Sequence, residues 1–411
     1  MSDKKTYREV LPYLFRHEYA RMTAVLCRHF GLKDMETAED IASATFLKAT
    51  EEWKIQGMPD NPAGWLYTVA RNKAKDHLRR RAVFETKVSV SLKEDSPEGP
   101  GEIDFSEEVI ADSQLAMIFW VCDPVNAPEN QICLALQVLC GFSIKEIAHA
   151  FLSAKETIKK RLFRAKANLR KNNVHIDRLP EPVVLSRMDS VLRTLYLLFN
   201  EGYFSRSGNH LIRKDFCSEA IRLALVLVGD RRTNTPQVNA LLALMCFQSS
   251  RLDARTDNTG ETVLFEEQDK KEWDKDLIQR GNYYLVEACS GNAASKYHLE
   301  AGIAYWHTTP TDKDKWQHIL QLYNRLILIE YSPATALNRA FAYARVYGNE
   351  EGIREVEKLR QEKTVFYHAL LGYLYTTVNK AEALKHYSEA LAKCTSGAEK
   401  RNLKKKIAGL R

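Results

Sequence analysis

Apolar residues recur at every third or fourth position along most of the chain, and alternating β-branched runs are scarce. That is the period of a helix, so the sequence predicts a nearly all-α protein. The stretch "NPAGWLYTVARNKAKDHLRRRAVFE" illustrates the pattern. Pro62 suits a first helical turn, where a missing N–H costs nothing. Leu66, Ala70, Ala74 and Leu78 then recur every fourth residue and predict a buried stripe. Arg71, Lys73, Lys75, Arg79, Arg80 and Arg81 crowd the remainder, and Asp76 opposes them.

A second segment, "SIKEIAHAFLSAKETIKKRLFRAKANLRK" (143–171), reads as two short amphipathic helices. Ser143 with Glu146, and Ser153 with Glu156, each form the S-x-x-E pattern of a capping box, marking two helix starts ten residues apart. Ile144, Ile147, Ala148 and Phe151 line one face of the first helix. Ala154, Ile158, Leu162, Ala165 and Leu169 line one face of the second. With the preceding helical segment "PENQICLALQVLCG", this pattern predicts a helix-turn-helix. Its second helix carries eight basic residues and one acidic residue. In that geometry Lys155, Lys159, Lys160 and Arg164 face away from the apolar stripe, towards DNA. Lysines there mostly grip phosphate, and for Arg164 a phosphate contact and a guanine edge both stay open.

Punctuation residues divide the chain. Residues 1–85 form a first helical block. Residues 86–112 mix Pro, Gly, Ser and acids as a flexible linker would, with eight acids from 93 to 112 against Lys93. A second helical block covers 113–172, a Pro-containing connector 173–190, and a long helical succession 191–411. The apolar "MIFWVC" (117–122) is expected to pack against that C-terminal part. There, small residues (Ala340, Gly372, Ala383, Ala390) alternate with aromatics (Tyr343, Tyr375, Tyr387) in helix–turn–helix units, as in tetratricopeptide repeats. Residues 255–274 interrupt the helices and are expected to turn and then run extended.

The 411 residues suffice for two or three domains, and the net charge of +7 is modest. No run of eighteen apolar residues predicts a membrane span. The N-terminus lacks a signal-peptide pattern, so a cytoplasmic location is expected. None of the eight cysteines forms a CxxC pair. They are expected to be buried reduced thiols, and no metal or other cofactor is expected. His298, His307 and His318 lack ligand spacing and are expected to be ordinary surface or core residues. No P-loop, HExxH, nucleophile elbow or GxGxxG is present, so the chain is not expected to be an enzyme.

The two N-terminal blocks resemble the conserved domains of extracytoplasmic-function sigma factors, the small class of bacterial sigma-70 proteins. "AEDIASATFLKAT" (38–50) resembles the region 2.2 helix, and "NPAGWLYTVARNKAKDHLRRR" (61–81) resembles regions 2.3 and 2.4. "LALQVLCGFSIKEIAHAFLSAKETIKKRLFRAKANLR" resembles region 4.2. The tail, with "VLRTLYLLFNEGYFSRSG" and "ALNRAFAYARVYG", is similar to the subgroup with a C-terminal tetratricopeptide-like extension.

The resemblance implies an all-α protein with a sigma-2-type domain, a sigma-4-type helix-turn-helix and a tetratricopeptide-like array. It implies an alternative sigma factor that directs core RNA polymerase to promoter DNA. Asp40, Thr45 and Phe46 fall in the polymerase-docking motif. Asn61, Asn72, Asp76, Arg79 and Arg80 fall in the motif that recognises and melts the −10 element, with Trp65 and Tyr67 near the unstacked bases. Trp65 also reads as a core residue, and Asp76 equally as a helix partner of Arg79 and Arg80. Lys155, Lys159, Lys160 and Arg164 fall in the −35 reader. The acidic linker is placed in the polymerase channel that RNA later fills. The C-terminal array is expected to contact a regulatory protein or act intramolecularly. The rival reading is a helix-turn-helix regulator that binds duplex DNA without polymerase, in which residues 1–85 have no role.

Overall fold

The computed structural model describes residues 7–88, 103–171, 180–203, 213–255, 263, 265–291, 294–309, 313–359, 363–395 and 397–411. Eighteen α-helices and no strand occur among them, so the protein is all-α as the periodicity predicts. They fall into two compact units, Met1–Leu197 and Leu198–Arg411.

The N-terminal unit holds α1 (Tyr7–Phe30), α2 (Met35–Gln56), α3 (Pro62–Val88), α4 (Glu107–Val121), α5 (Pro128–Leu134), α6 (Ile144–Ala150) and α7 (Lys155–Lys171). It also holds most of α8 (Glu181–Tyr203). Helix α1 is the hub and packs on α2, α3 and α4. Met22 and Leu26 of α1, Met35 and Ala42 of α2, and Leu66, Ala70 and Ala74 of α3 are fully enclosed there. Each large side chain so buried stabilises the fold by about 1.5–3 kcal/mol.

Two boundaries differ from the sequence expectation. The linker placed over 86–112 is helical to Val88 and again from Glu107, while residues 89–102 lie outside the described residues. Ile103 and Phe105 are buried, and the Arg71 Nε donates to the Ile103 carbonyl at 3.0 Å. Two apolar side chains in an acidic stretch are enough to seat that end of it. The connector placed over 173–190 becomes helix at Glu181, while residues 172–179 lie outside the described residues. The first half of α8 is tied down by polar contacts: the Ser190 Oγ donates to the Cys122 carbonyl (2.6 Å), the Thr194 Oγ1 to Gln131 (2.8 Å), and Arg187 pairs with Asp123 (2.9 Å). Finally, the apolar run 117–122 is buried within the N-terminal unit, where α4 packs on α1 and on the π-turn 135–139.

The C-terminal unit contains α9 (Lys214–Gly229), α10 (Pro236–Ser249), α11 (Lys275–Ala288), α12 (Lys296–Thr308), α13 (Lys315–Ile329), α14 (Pro333–Tyr347), α15 (Asn349–Glu357), α16 (Val365–Tyr375), α17 (Lys380–Lys393) and α18 (Gly397–Leu410). Helix starts are specified locally. Side chains of Thr235, Asp274, Ser332, Thr364 and Asn379 each accept a backbone N–H of the following turn, a cap worth about 1 kcal/mol. Neighbouring helices pack in sequence order, α13 on α14, α14 on α15 and α16 on α17. Small residues set the close approaches. A Cβ on Gly372 would lie 2.7 Å from the Tyr387 ring, so glycine there lets α16 meet α17. Residues 265–267 and 270–272 are short 3-10 turns where an extended piece was expected, and 256–262 lie outside the described residues.

Seven of the eight cysteines are buried, and Cys289 is exposed. Burial pushes the Cys122, Cys217 and Cys246 thiols up to about 12, which keeps them protonated and unreactive.

Candidate nucleic-acid and polymerase interface

Helix α3 begins at Pro62 because Asn61 caps it: its Oδ1 accepts the Gly64 N–H at 2.9 Å, and its carbonyl accepts the Trp65 N–H at 3.0 Å. Asn61, expected to touch DNA, is exposed, and its Oδ1 caps the helix start. A Cβ at Gly64 would sit 2.7 Å from the Asn61 Nδ2, so the glycine makes room for the cap. Trp65 and Tyr67 are half-buried. Trp65 meets the buried Trp53 edge-on at 5.4 Å. Tyr67 lies 4.9 Å from the Phe105 ring and donates its hydroxyl to Glu18. Burial, then the Glu18 hydrogen bond and charge, raise the Tyr67 phenol well above its ordinary range.

The remaining α3 candidates stay at the surface. Asn72, Asp76, Arg79 and Arg80 are all exposed. Spaced i, i+4, i+7 and i+8, they share one face of the helix. Among the described residues, Asp76 makes no ion pair with Arg79 or Arg80. Arg81, by contrast, pairs with Asp34 at 2.7 Å, and Arg71 holds Ile103.

Helix α2 divides its three candidates. Asp40 is exposed. Thr45 is fully buried and its hydroxyl donates to the Ile41 carbonyl at 2.8 Å. Phe46 is buried with its ring 5.0 Å from Phe15 and 6.4 Å from Tyr19. These two hold α2 onto α1 and do not face a partner. The residues that do face outward were missed from sequence: Leu47 is 60% exposed and Ile55 84% exposed on the same helix. Their signal was present, since apolar residues outside the i, i+4 stripe of Ala42, Phe46, Ala49 and Trp53 have no core to enter. An open groove between α2 and α3 brings Asp40 and Ala44 beside Lys73, Asp76 and Arg80.

Helices α6 and α7 follow the sequence closely. The Ser143–Glu146 capping box forms, with the Glu146 N–H donating to Ser143 Oγ at 3.2 Å and the Ser143 N–H to Glu146 at 2.8 Å. The second box does not. Helix α7 starts at Lys155, and the Ala154 carbonyl accepts from Ile158 at 3.2 Å, so Ser153 stands one residue too early to cap. The turn needs a left-handed residue, and Leu152 supplies it at φ 47° while 68% exposed. A branched residue there costs about 1–2 kcal/mol that glycine avoids. Allowing for glycine's greater unfolded freedom, Leu152→Gly is expected to stabilise the unit by roughly 0.5–1 kcal/mol. Native-state hydrogen exchange in α6 and α7 checks this, and a fall in protection contradicts it.

On α7, Ile158, Leu162, Ala165 and Leu169 are buried, and Lys155, Lys159, Lys160 and Arg164 are exposed. Three other basic residues are used internally. Lys166 bonds both Glu39 oxygens (2.9 and 2.8 Å), Arg170 pairs with Glu36 (2.8 Å), and Arg161 donates to the Cys133 sulfur (3.8 Å). Phe163, 67% exposed, stands among the outward cations.

The chain therefore presents two exposed, charged helix faces, one on α3 and one on α7, from an all-helical N-terminal unit. Residues 14–83 match the family described as Sigma-70 region 2, which supports a sigma-70 family factor. Residues 187–289 match a family of unknown function, DUF6596. "Uncharacterized protein R00370" of Rhizobium meliloti (strain 1021) is 30% identical over 381 residues, covering 91% of this chain and 89% of that protein. The chain belongs to the same family as that protein. No solved structure matches it. Among the described residues, no helix is long and apolar enough to cross a membrane.

Proposed function

We propose that the chain is an alternative sigma factor of the extracytoplasmic-function class, with α6–α7 as its region 4 helix-turn-helix. The observation that carries this is the coincidence of the sigma-70 region 2 match with the exposed face Asn72, Asp76, Arg79 and Arg80. In this reading α3 engages the −10 element with that face. Helix α7 engages the −35 element with Lys155, Lys159, Lys160 and Arg164, phosphate contacts giving affinity and Arg164 reading a base. Phe163 adds an apolar surface suited to a thymine methyl. Helix α2 docks on core polymerase through Asp40, Leu47 and Ile55. The acidic segment, most of which lies outside the described residues, occupies the RNA path. The C-terminal helices form a tetratricopeptide-like array that contacts a regulatory protein.

Run-off transcription with purified core polymerase tests this. The chain is expected to direct initiation only together with core, in the cytoplasmic setting of that enzyme. Tight binding of duplex DNA without core, and no initiation with it, would favour a plain helix-turn-helix regulator. A fragment ending at Leu197, which keeps the first half of α8 on its own unit, tests the C-terminal part. Transcription indistinguishable from the full chain in every condition removes the regulatory role.

A further inference from the structure

Buried polar atoms in native proteins are nearly always hydrogen-bonded, and each orphan calls for an explanation such as strain, an ordered water or an ion. Among the described residues, eleven buried side-chain atoms lack a partner. Six of them belong to the C-terminal unit, on Gln248, Ser249, Arg251, Gln268, Trp273 and His307. The Phe265 ring ties three of these together. The Arg251 guanidinium lies 4.9 Å from its centroid, the His307 ring 4.9 Å and the Trp273 ring 5.9 Å. Arg251 spends one nitrogen on the Tyr203 hydroxyl (3.0 Å), and its Nε is sealed from solvent with nothing to bond.

The cluster is also one-signed. Burial, then the charges of Arg251 and Lys315, push the His307 imidazole down to about 3. Burial, then Lys270, lower the Lys315 ammonium. Burial lowers the Arg251 guanidinium as well, with Arg255 adding repulsion. Among the described residues no carboxylate pairs with Arg251, Lys270 or Lys315. A buried guanidinium against an apolar ring without a counter-charge is unfavourable unless something anionic enters.

We propose that this cluster is a binding site for a small-molecule oxyanion, a phosphate or a carboxylate group. Arg251 and the Trp273 indole N–H hold the anion, and Lys315 stands at the half-exposed rim as its counter-charge. The Phe265 ring forms the wall. Gln268 offers an orphaned Oε1, an acceptor that suits a hydroxyl or N–H of the same ligand. The proposal does not rest on the sigma-factor reading and is tested without transcription.

The full chain is titrated calorimetrically with inorganic phosphate and, separately, with succinate, against sodium chloride at matched ionic strength. Phosphate stabilises most proteins without saturating, so saturable heat and its loss in variants are the readout. The wild type is expected to bind one of the two anions saturably, and which one it binds identifies the source of the oxyanion. Lys315→Gln and Arg251→Met are expected to weaken that binding by about tenfold or more each. Trp273 fluorescence should change on binding and lose that change in Trp273→Phe. Circular dichroism checks that Arg251→Met folds. If it does not, Lys315→Gln, whose side chain reaches the rim, decides alone. No saturable binding of either anion, or wild-type affinity in Lys315→Gln, overturns the proposal.

Discussion

Replacing Lys155, Lys159, Lys160 and Arg164 together by alanine is expected to abolish promoter-specific initiation while leaving core polymerase binding and the fold intact. The four side chains are exposed, and among the described residues none is used in an ion pair. Removing them breaks no native contact, and alanine favours helix. The apolar stripe that seats α7, Ile158, Leu162, Ala165 and Leu169, is untouched. Each cation neutralising a phosphate adds about 0.9 to the slope of log affinity on log salt. Losing three or four such contacts flattens the slope by roughly three and weakens holoenzyme binding to a −35-containing promoter by about a hundredfold or more at moderate salt. Arg164→Ala alone separates the two kinds of contact. A base contact costs about 1–3 kcal/mol and relaxes preference at one position, whereas a phosphate contact weakens all sequences alike. The measurement is run-off transcription and promoter affinity at several salt concentrations. Wild-type transcription by the fourfold variant would remove α7 from DNA recognition.

Helix α7 also shows how far a sequence can be read. Its buried stripe from Ile158 onward and its four outward cations follow from local spacing, because a helix fixes the relative directions of its own side chains. What spacing cannot supply is the partner. Eight basic residues look alike in sequence, yet Lys166 and Arg170 belong to acids on α2 more than a hundred residues away. The same limit explains α2. Thr45 and Phe46 sit in a motif with Asp40, but the side of α2 that meets α1 decides which of them is buried. Asn61 was legible as a loop residue before a proline, and the structure adds that it caps that helix. Trp65 went the other way, since its position beside the Leu66 stripe favoured the core and the ring does pack on Trp53. The alternation of small and aromatic residues in the C-terminal unit was visible, and Gly372 against Tyr387 is one such contact. The cluster around Phe265 was invisible, because His307 alone gives no spacing. It acquires meaning only beside Arg251 and Trp273, brought from two other segments.

The largest stability effect is expected at Lys166. This ammonium bonds both oxygens of Glu39, and the two side chains are 9% and 14% exposed. It joins α7, whose outer face carries the basic residues, to α2. Lys166→Met leaves the Glu39 carboxylate beside enclosed Cys27 and Tyr19, the groups on which its charge already acts. An ion stripped of its partner in such a place typically costs about 3–5 kcal/mol. The neighbouring Arg170–Glu36 pair has the same 2.8 Å separation but exposures of 28% and 64%. Solvent screens it, so Arg170→Ala is expected to cost no more than about 1 kcal/mol. The double variant Glu39→Gln with Lys166→Met removes both charges and is expected to recover most of the loss, because the penalty belongs to the unpaired ion and not to the missing bond. Native-state hydrogen exchange in α2 and α7 measures these differences within the N-terminal unit alone, where a single melting curve of a two-unit chain would mix them. If Lys166→Met and Arg170→Ala shift exchange by the same small amount, Glu39–Lys166 behaves as a surface pair and does not tie α7 to α2.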